Sequence, residues 1–280
     1  MKTVGVLGCG LMGSGIAQVC AQSGYKTIVR EVDQKLVDKG LARIESFLDA
    51  GVERKKVSPE SRDQTLSNLS GTTDVEAMAE TDLIIEAIVE NLEAKRVMYT
   101  ALDKVVGEDT LFASNTSSLC ITEMASTTTR PDRFFGLHFF SPVPVMKLVE
   151  VVRGLSTSDE TYEKGMDFAV SLGKEPITAP DRPGFIVNRL LIPYLLDAIR
   201  AYESGVGTLE DLDKGMSLGC GHPMGPFTLL DFVGLDTTYY IANIMYDEFR
   251  DPAYAAPPLL KRMVLAGHHG RKTKRGFYTY

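Results

Sequence analysis

The chain has 280 residues, of which 44% are hydrophobic and 24% charged, with a formal net charge of −7. That length is large for a single core and predicts one larger and one smaller domain of ordinary globular composition. The acidic balance gives no electrostatic footprint for a nucleic-acid partner, and no apolar run approaches the roughly 18 residues that span a bilayer.

Thr3–Leu7 is a short β-branched run that leads directly into GCGLMGSGIAQVCAQSGY. A first strand beginning at Lys2 or Thr3 leaves no room for a signal or transit peptide, so a cytoplasmic location is expected. Gly8, Gly10 and Gly13 form G-x-G-x-x-G, and Ile16, Ala17, Val19 and Cys20 continue at helical spacing until Gly24. Lys26–Arg30 is a second β-rich run, with Glu31 at its end. Each part has a physical task. Gly8 allows a tight turn, Gly10 lets the backbone approach a pyrophosphate, and Gly13 lets helix and strand pack closely. The helix N-terminus offers N–H groups and positive dipole to phosphates. Glu31 accepts hydrogen bonds from ribose hydroxyls, and its charge favours NAD over NADP although Arg30 stands beside it. A dinucleotide site is therefore expected at Gly8, Gly10, Leu11, Met12, Gly13 and Glu31.

Val32–Ala50 has helical periodicity, with Leu36, Val37, Leu41, Ile44, Phe47 and Leu48 on one face. Asp82–Ile88 reads as a buried strand of a parallel sheet. Asn91–Val106 reads as a helix with Leu92, Lys95, Tyr99 and Leu102 along one side. Leu111–Ser114 is another strand, ending in Asn115-Thr116-Ser117-Ser118. Polar groups at the carboxyl ends of such strands line ligands, which singles out Glu90, Lys95, Asn115 and Ser117. Lys95 reads equally well as a solvated helical lysine.

Gly136–Val152 places His138 and Glu150 inside two strongly apolar runs. A carboxylate in such surroundings is costly unless paired, and the histidine is its nearest partner if the runs are adjacent strands. Two readings stand level on these residues alone. One is a general acid–base pair, in which the carboxylate orients an imidazole; the other is a core histidine with a structural acid.

Glu175–Thr178 is the last strand expected, and Thr178–Gly184 is rich in helix breakers. Beyond it the pattern is helical: Ile186–Ser204 interrupted by Pro193, a capping-box-like start at Thr208–Asp211, then Phe227–Phe249 broken at Gly234, and Pro258–Leu265 before Gly267. Asn188 falls in the first turn of the first of these helices, on its expected buried side. The fold class expected is α/β: a Rossmann-type, mostly parallel sheet domain over residues 1–183, then a smaller all-α domain over 184–280. His222, in a Gly/Pro-rich connection, and His268 and His269 near the carboxyl end read as structural or solvated. Four histidines and the cysteines Cys9, Cys20, Cys120 and Cys220 lack metal-type spacing, which argues against zinc and fits a reducing compartment.

The segments VGVLGCGLMGSGIAQ, SNTSSL, HFFSPVPVMKLVEVV, PGFIVNR, HPMGP and GRKTKRGFY resemble the short, stand-alone 3-hydroxyacyl-CoA dehydrogenases, most nearly the bacterial 3-hydroxybutyryl-CoA type. The likeness runs from the first strand to Tyr280. It implies NAD as cofactor, a coenzyme A thioester as substrate and a homodimer built through the helical domain. It also implies His138 as general base toward the 3-hydroxyl, Glu150 as its support, Ser117 and Asn188 on the substrate, and Glu90, Lys95 and Asn115 around the cofactor. Two positions depart from the pattern: Ser141 where relatives usually carry Asn, and Lys274 where Gly is common. Arg54-Lys55-Lys56 reads first as a solvated charge run and second as a coenzyme A phosphate contact. A dehydrogenase of free 3-hydroxy acids would place a lysine base near the second domain's first helix, and Asp181–Ile199 has none. A non-catalytic, crystallin-like nucleotide binder would predict a broken polar set, yet Ser117, His138, Glu150 and Asn188 are all present.

Overall fold

The computed structural model describes residues 1–280. The chain divides into two compact units, Met1–Asp181 and Arg182–Tyr280. No helix is long and apolar enough to cross a membrane.

The first unit is built on β1 (Thr3–Leu7), β2 (Lys26–Arg30), β3 (Leu69–Thr72), β4 (Leu83–Glu86), β5 (Leu111–Ser114), β6 (Phe134–Phe139), β7 (Leu148–Arg153) and β8 (Glu175–Pro180). They form one sheet in the order β3-β2-β1-β4-β5-β6-β7-β8, parallel throughout except for the antiparallel β6–β7 pair. The first six strands follow the doubly wound dinucleotide-binding order, whose switch point lies between β1 and β4. Val4, Val6, Ile85, Ala113, Leu137, Val149 and Val151 are buried in one core cluster. Such continuous apolar strands are required where helices cover a parallel sheet.

The covering helices are α1 (Leu11–Gln22), α2 (Gln34–Glu53), α3 (Pro59–Ser67), α4 (Leu92–Leu102), α5 (Ile121–Ala125) and α6 (Asp159–Ser171). Caps fix several starts: Asp33 accepts from the Lys35 amide, Ser58 from Ser61, Asn91 from Ala94 and Ser158 from Thr161. These caps place the α2 and α4 starts inside the ranges read from sequence, because Asp33 and Asn91 themselves are extended. The buried face of α2 is Val37, Gly40, Ile44 and Leu48, whereas Leu36 and Phe47 are exposed. The apolar stripe is thus narrower than expected, with Gly40 packed against Cys9 in the fingerprint loop. Elements absent from the sequence reading are α3, β3, α5 and α6.

The second unit contains α7 (Val187–Glu203), α8 (Leu209–Cys220), α9 (Pro226–Val233), α10 (Leu235–Phe249) and α11 (Pro258–Leu265). Its core includes Ile192, Leu195, Leu196, Ile199, Phe227, Leu230, Ala242, Met245 and Leu260. Pro193 lies inside α7, Thr208 caps α8, and Gly234 separates α9 from α10 at φ 104°. Buried Asp231 accepts from the Phe277 and Tyr278 amides, both at 2.8 Å, and from the Tyr280 hydroxyl at 3.1 Å. The carboxyl-terminal tail is thereby clasped to α9. Lys274 in that tail adopts φ 58°, a left-handed conformation that glycine takes without strain. The fold class is the α/β sheet unit followed by an all-helical unit that the sequence pattern predicts.

Candidate active site

The switch point is shaped by the G-x-G-x-x-G turn. Gly8 takes φ +87°, and a Cβ on Gly13 would fall 1.8 Å from the Gly8 carbonyl oxygen, so only glycine fits. A Cβ on Gly10 would meet nothing within 4 Å, which marks the open side of the turn. Helix α1 begins there with no side-chain cap and no acidic residue in its first turn, leaving its amides and dipole to an anion. Leu11 stands exposed at the helix start and Met12 packs against the core.

Glu31, at the end of β2, is oriented by backbone donors. The Cys9 amide donates to Oε1 at 2.7 Å and the Val32 amide to Oε2 at 3.2 Å. A cleft of about 910 Å³ opens beside it, lined by Gly8, Gly10, Arg30, Val32, Ile88 and Val97 among others. An open turn, an uncapped helix start, an oriented carboxylate and an apolar slot fit a dinucleotide held through pyrophosphate, ribose and adenine. Burial and the nearby Glu31 push the Cys9 thiol up to about 11, so it stays protonated and inert.

Farther along the sheet, the antiparallel β6–β7 pair sets His138 directly opposite Glu150. His138 Nδ1 lies 2.6 Å from Glu150 Oε2, and Glu150 is fully buried. A carboxylate only accepts, so the proton is assigned to Nδ1, leaving the Nε2 lone pair outward. Ser117 Oγ lies 3.1 Å from that nitrogen. A continuous line, Ser117–His138–Glu150, therefore stands at the carboxyl ends of β5 and β6. Asn115 Oδ1 accepts from the Phe139 amide at 2.9 Å and so ties the end of β5 to the histidine's strand.

Lys95 is not the solvated lysine that was one expectation. It is wholly buried, with Nζ 3.0 Å from Glu86 Oε2 and 2.7 Å from Glu90 Oε2. Glu90 Oε1 accepts from the Thr116 hydroxyl, from the Ser117 amide at 3.2 Å and from the Ser118 hydroxyl at 3.3 Å. Burial pushes the Glu86 carboxyl above its usual range, against the opposing pull of Lys95 and of donors from Ser114 and Ile88. Burial would do the same to Glu90, but the Lys95 charge and donors from Lys95, Thr116 and Ser117 outweigh it and hold that carboxyl low. For Lys95, burial opposes the charged form and the two carboxylates more than restore it. Glu86 was not singled out in the sequence, and Thr116 was named only as part of the polar turn; the one signal for Glu86 was an acid closing the apolar run Leu83–Ile85.

Asn188 belongs to the helical unit, in the first turn of α7, and is half-buried rather than buried. Ser141 is exposed and precedes Pro142 through a cis peptide bond. His222 Nδ1 contacts the Tyr194 hydroxyl at 3.3 Å, and His269 Nε2 the Val264 carbonyl at 3.1 Å; His268 is half-buried. Lys55, in the basic run, is exposed in a left-handed turn at φ 57°.

This geometry coincides with a known family. Residues 3–182 match the model of the 3-hydroxyacyl-CoA dehydrogenase NAD binding domain, and residues 184–280 that family's C-terminal domain. The chain is 48% identical to human mitochondrial hydroxyacyl-coenzyme A dehydrogenase, over 100% of this chain and 91% of the relative. It is 48% identical to a 3-hydroxybutyryl-CoA dehydrogenase of Mycobacterium tuberculosis, over 100% and 99% of the two chains. The crystal structure of (S)-3-hydroxybutyryl-CoA dehydrogenase from Ralstonia eutropha superposes with a TM-score of 0.96 at 44% identity, over 100% of this chain and 99% of that one. Sheet order, fingerprint loop and the match of both family models lead to one conclusion: the chain belongs to the 3-hydroxyacyl-CoA dehydrogenase family and is an NAD-dependent oxidoreductase.

Proposed function

We propose that this chain interconverts (S)-3-hydroxybutyryl-CoA and acetoacetyl-CoA, with His138 as the proton carrier. The observation that carries the proposal is the hydrogen-bonded line Ser117–His138–Glu150 beyond the carboxyl ends of a dinucleotide-binding sheet. The (S) configuration and the butyryl chain length are those of the relatives named above.

Bound NAD supplies the acceptor for hydride leaving C3, or in reduced form its donor. The protein's own residues handle the proton. In oxidation, His138 Nε2 takes the proton of the 3-hydroxyl while its Nδ1–H stays on Glu150. The buried carboxylate stabilises the imidazolium that forms, as it costs no reorganisation at that moment. In reduction the same Nε2–H returns a proton to the carbonyl oxygen. The Ser117 hydroxyl, within reach of Nε2, holds the reacting oxygen in line with it, and Asn188 contributes an amide contact to the substrate. Gly8, Gly10, Leu11, Met12, Gly13 and Glu31 hold the dinucleotide, with Glu90, Lys95 and Asn115 shaping the floor near its reactive end.

Residues 1–183 form the cofactor half and 184–280 the substrate and dimerisation half of this enzyme. A homodimer through the helical unit is part of this proposal. A cytoplasmic role in fatty-acid or butanoate metabolism fits the substrate.

The test is His138→Ala. Removing a general base lowers kcat for acetoacetyl-CoA reduction by about 10²- to 10⁴-fold, while NADH affinity, measured by fluorescence titration, stays near wild type. Retention of most turnover would refute the assignment.

A further inference from the structure

Glu86 stands outside the residues assigned above, yet it is fully buried at the end of β4. Two hydrogen-bonded routes lead from it to the Asn115–Ser118 turn. Along the first, Oε2 meets Lys95 Nζ at 3.0 Å, Lys95 meets Glu90 at 2.7 Å, and Glu90 accepts from the Thr116 hydroxyl and the Ser117 amide. Along the second, the Ser114 hydroxyl donates to Glu86 Oε2 at 2.5 Å, and the Thr116 amide donates to Ser114 Oγ at 3.2 Å. The other oxygen is taken by the Ile88 amide at 2.8 Å. Both routes converge on Thr116, the first also reaching the Ser117 amide, and Ser117 Oγ touches His138 Nε2. The turn itself closes on Thr116 Oγ1, which accepts from the Leu119 amide at 2.9 Å.

We infer that Glu86 is a positioning residue for the dehydrogenase reaction, fixing the Ser117 hydroxyl against His138 through Lys95–Glu90 and through Ser114. The inference rests on the proposed function. Lys95 is held from the sheet side by Glu86 and from the loop side by Glu90, so the ammonium is a fixed spacer between them. With Gln at position 86, Lys95 keeps one of its two acidic partners, and one neutral oxygen is left for the Ile88, Lys95 and Ser114 donors that two carboxylate oxygens served. The turn then keeps its sequence but loses its registration to the sheet, and a hydroxyl misplaced by a fraction of an ångström no longer lines up with Nε2.

A purely structural acid would lower stability without acting through Ser117, so a double-mutant cycle separates the two. Wild type, Glu86→Gln, Ser117→Ala and the double variant are compared in NADH-dependent reduction of acetoacetyl-CoA, with Tm recorded for each. Glu86→Gln is expected to lower kcat roughly tenfold, about the loss of one well-made hydrogen bond to the base, with KM for NADH within about twofold of wild type. In the Ser117→Ala background the same substitution should change kcat by less than about twofold, because its effect passes through the missing hydroxyl. Equal factors in both backgrounds, or an unchanged kcat, would overturn the inference. Glu86→Asp keeps the negative charge but sets it one carbon back from Lys95 and Ser114, and it protects the test against misfolding of the neutral variant. It should hold Tm nearer wild type and still lower kcat in the wild-type background only; equal factors in both backgrounds would also overturn the inference. A wild-type chain with no turnover at all would sink the dehydrogenase reading itself, whereas additive factors in an active wild type sink only the role of Glu86.

Discussion

Glu150→Gln isolates the charge that supports the proposed base. The side chain keeps its size inside a fully buried site, so packing changes little, but the negative charge 2.6 Å from His138 Nδ1 disappears. Two estimates bracket the loss. Replacing a charge-assisted hydrogen bond with a neutral one costs about 1–1.5 kcal/mol, or roughly tenfold in rate. The attraction between imidazolium and carboxylate at a charge separation of ~4 Å is about 4 kcal/mol at an effective dielectric near 20, or roughly 1,000-fold. Glu150 has no solvent exposure to screen it, so the larger effect should dominate and kcat should fall by about 100-fold or more. A second consequence falls on oxidation alone. If the Gln amide nitrogen turns toward Nδ1, the ring proton is driven to Nε2, where that direction needs a proton acceptor. The assay is NADH consumption with acetoacetyl-CoA, alongside NADH binding, which should be unchanged. A variant retaining more than half of the wild-type kcat would refute the proposed support role.

Other perturbations read other parts of the structure. Glu31→Ala removes the oriented ribose acceptor and should raise KM for NADH about tenfold while narrowing discrimination against NADPH in kcat/KM; a wild-type preference for NADPH would contradict the account. Asp231→Ala strips the acceptor from the Phe277 and Tyr278 amides and should destabilise the helical unit by about 3 kcal/mol, read as a lower urea midpoint. An unchanged midpoint would show that the tail clasp contributes nothing. Asp103 sits in a part-buried pair with Arg130, 2.6 Å from its Nε. Burial opposes its ionised form, but the Thr129 donors and Arg130 outweigh that and hold the carboxyl below its ordinary value of 3.8. Its folded value is the lower one, so its contribution is complete above about pH 4 and is lost as pH falls through the folded value. Asp103→Asn should therefore be less stable than wild type at neutral pH, and the gap should close in urea titrations at more acidic pH.

The parts legible in the sequence were those with a local signature. The fingerprint loop announces itself because three glycines, a strand and an acid fall within one βαβ unit. His138 and Glu150 were visible because each interrupts an apolar run, and β6–β7 register then sets them face to face. Helix α3, PESRDQTLS, was illegible because it has no apolar face, and β3, LSGT, because it is short and half-exposed. Leu36 and Phe47 were placed on the wrong side of α2 because Gly40, not a large side chain, forms the tight contact with the fingerprint loop. Lys95 read equally well as a ligand contact and as a solvated lysine; only the fold brings the end of β4 to it and supplies Glu86. The Lys274 departure acquired a meaning the sequence lacked, since its left-handed backbone is where glycine is favoured.

The central claim is hydride exchange on a coenzyme A thioester. Its most direct test is NADH oxidation by the purified wild-type chain with acetoacetyl-CoA beside free acetoacetate. The account predicts rapid, saturable turnover of the thioester and at most a small fraction of that rate with the free acid. Equal turnover of the two, or none with either, would contradict it.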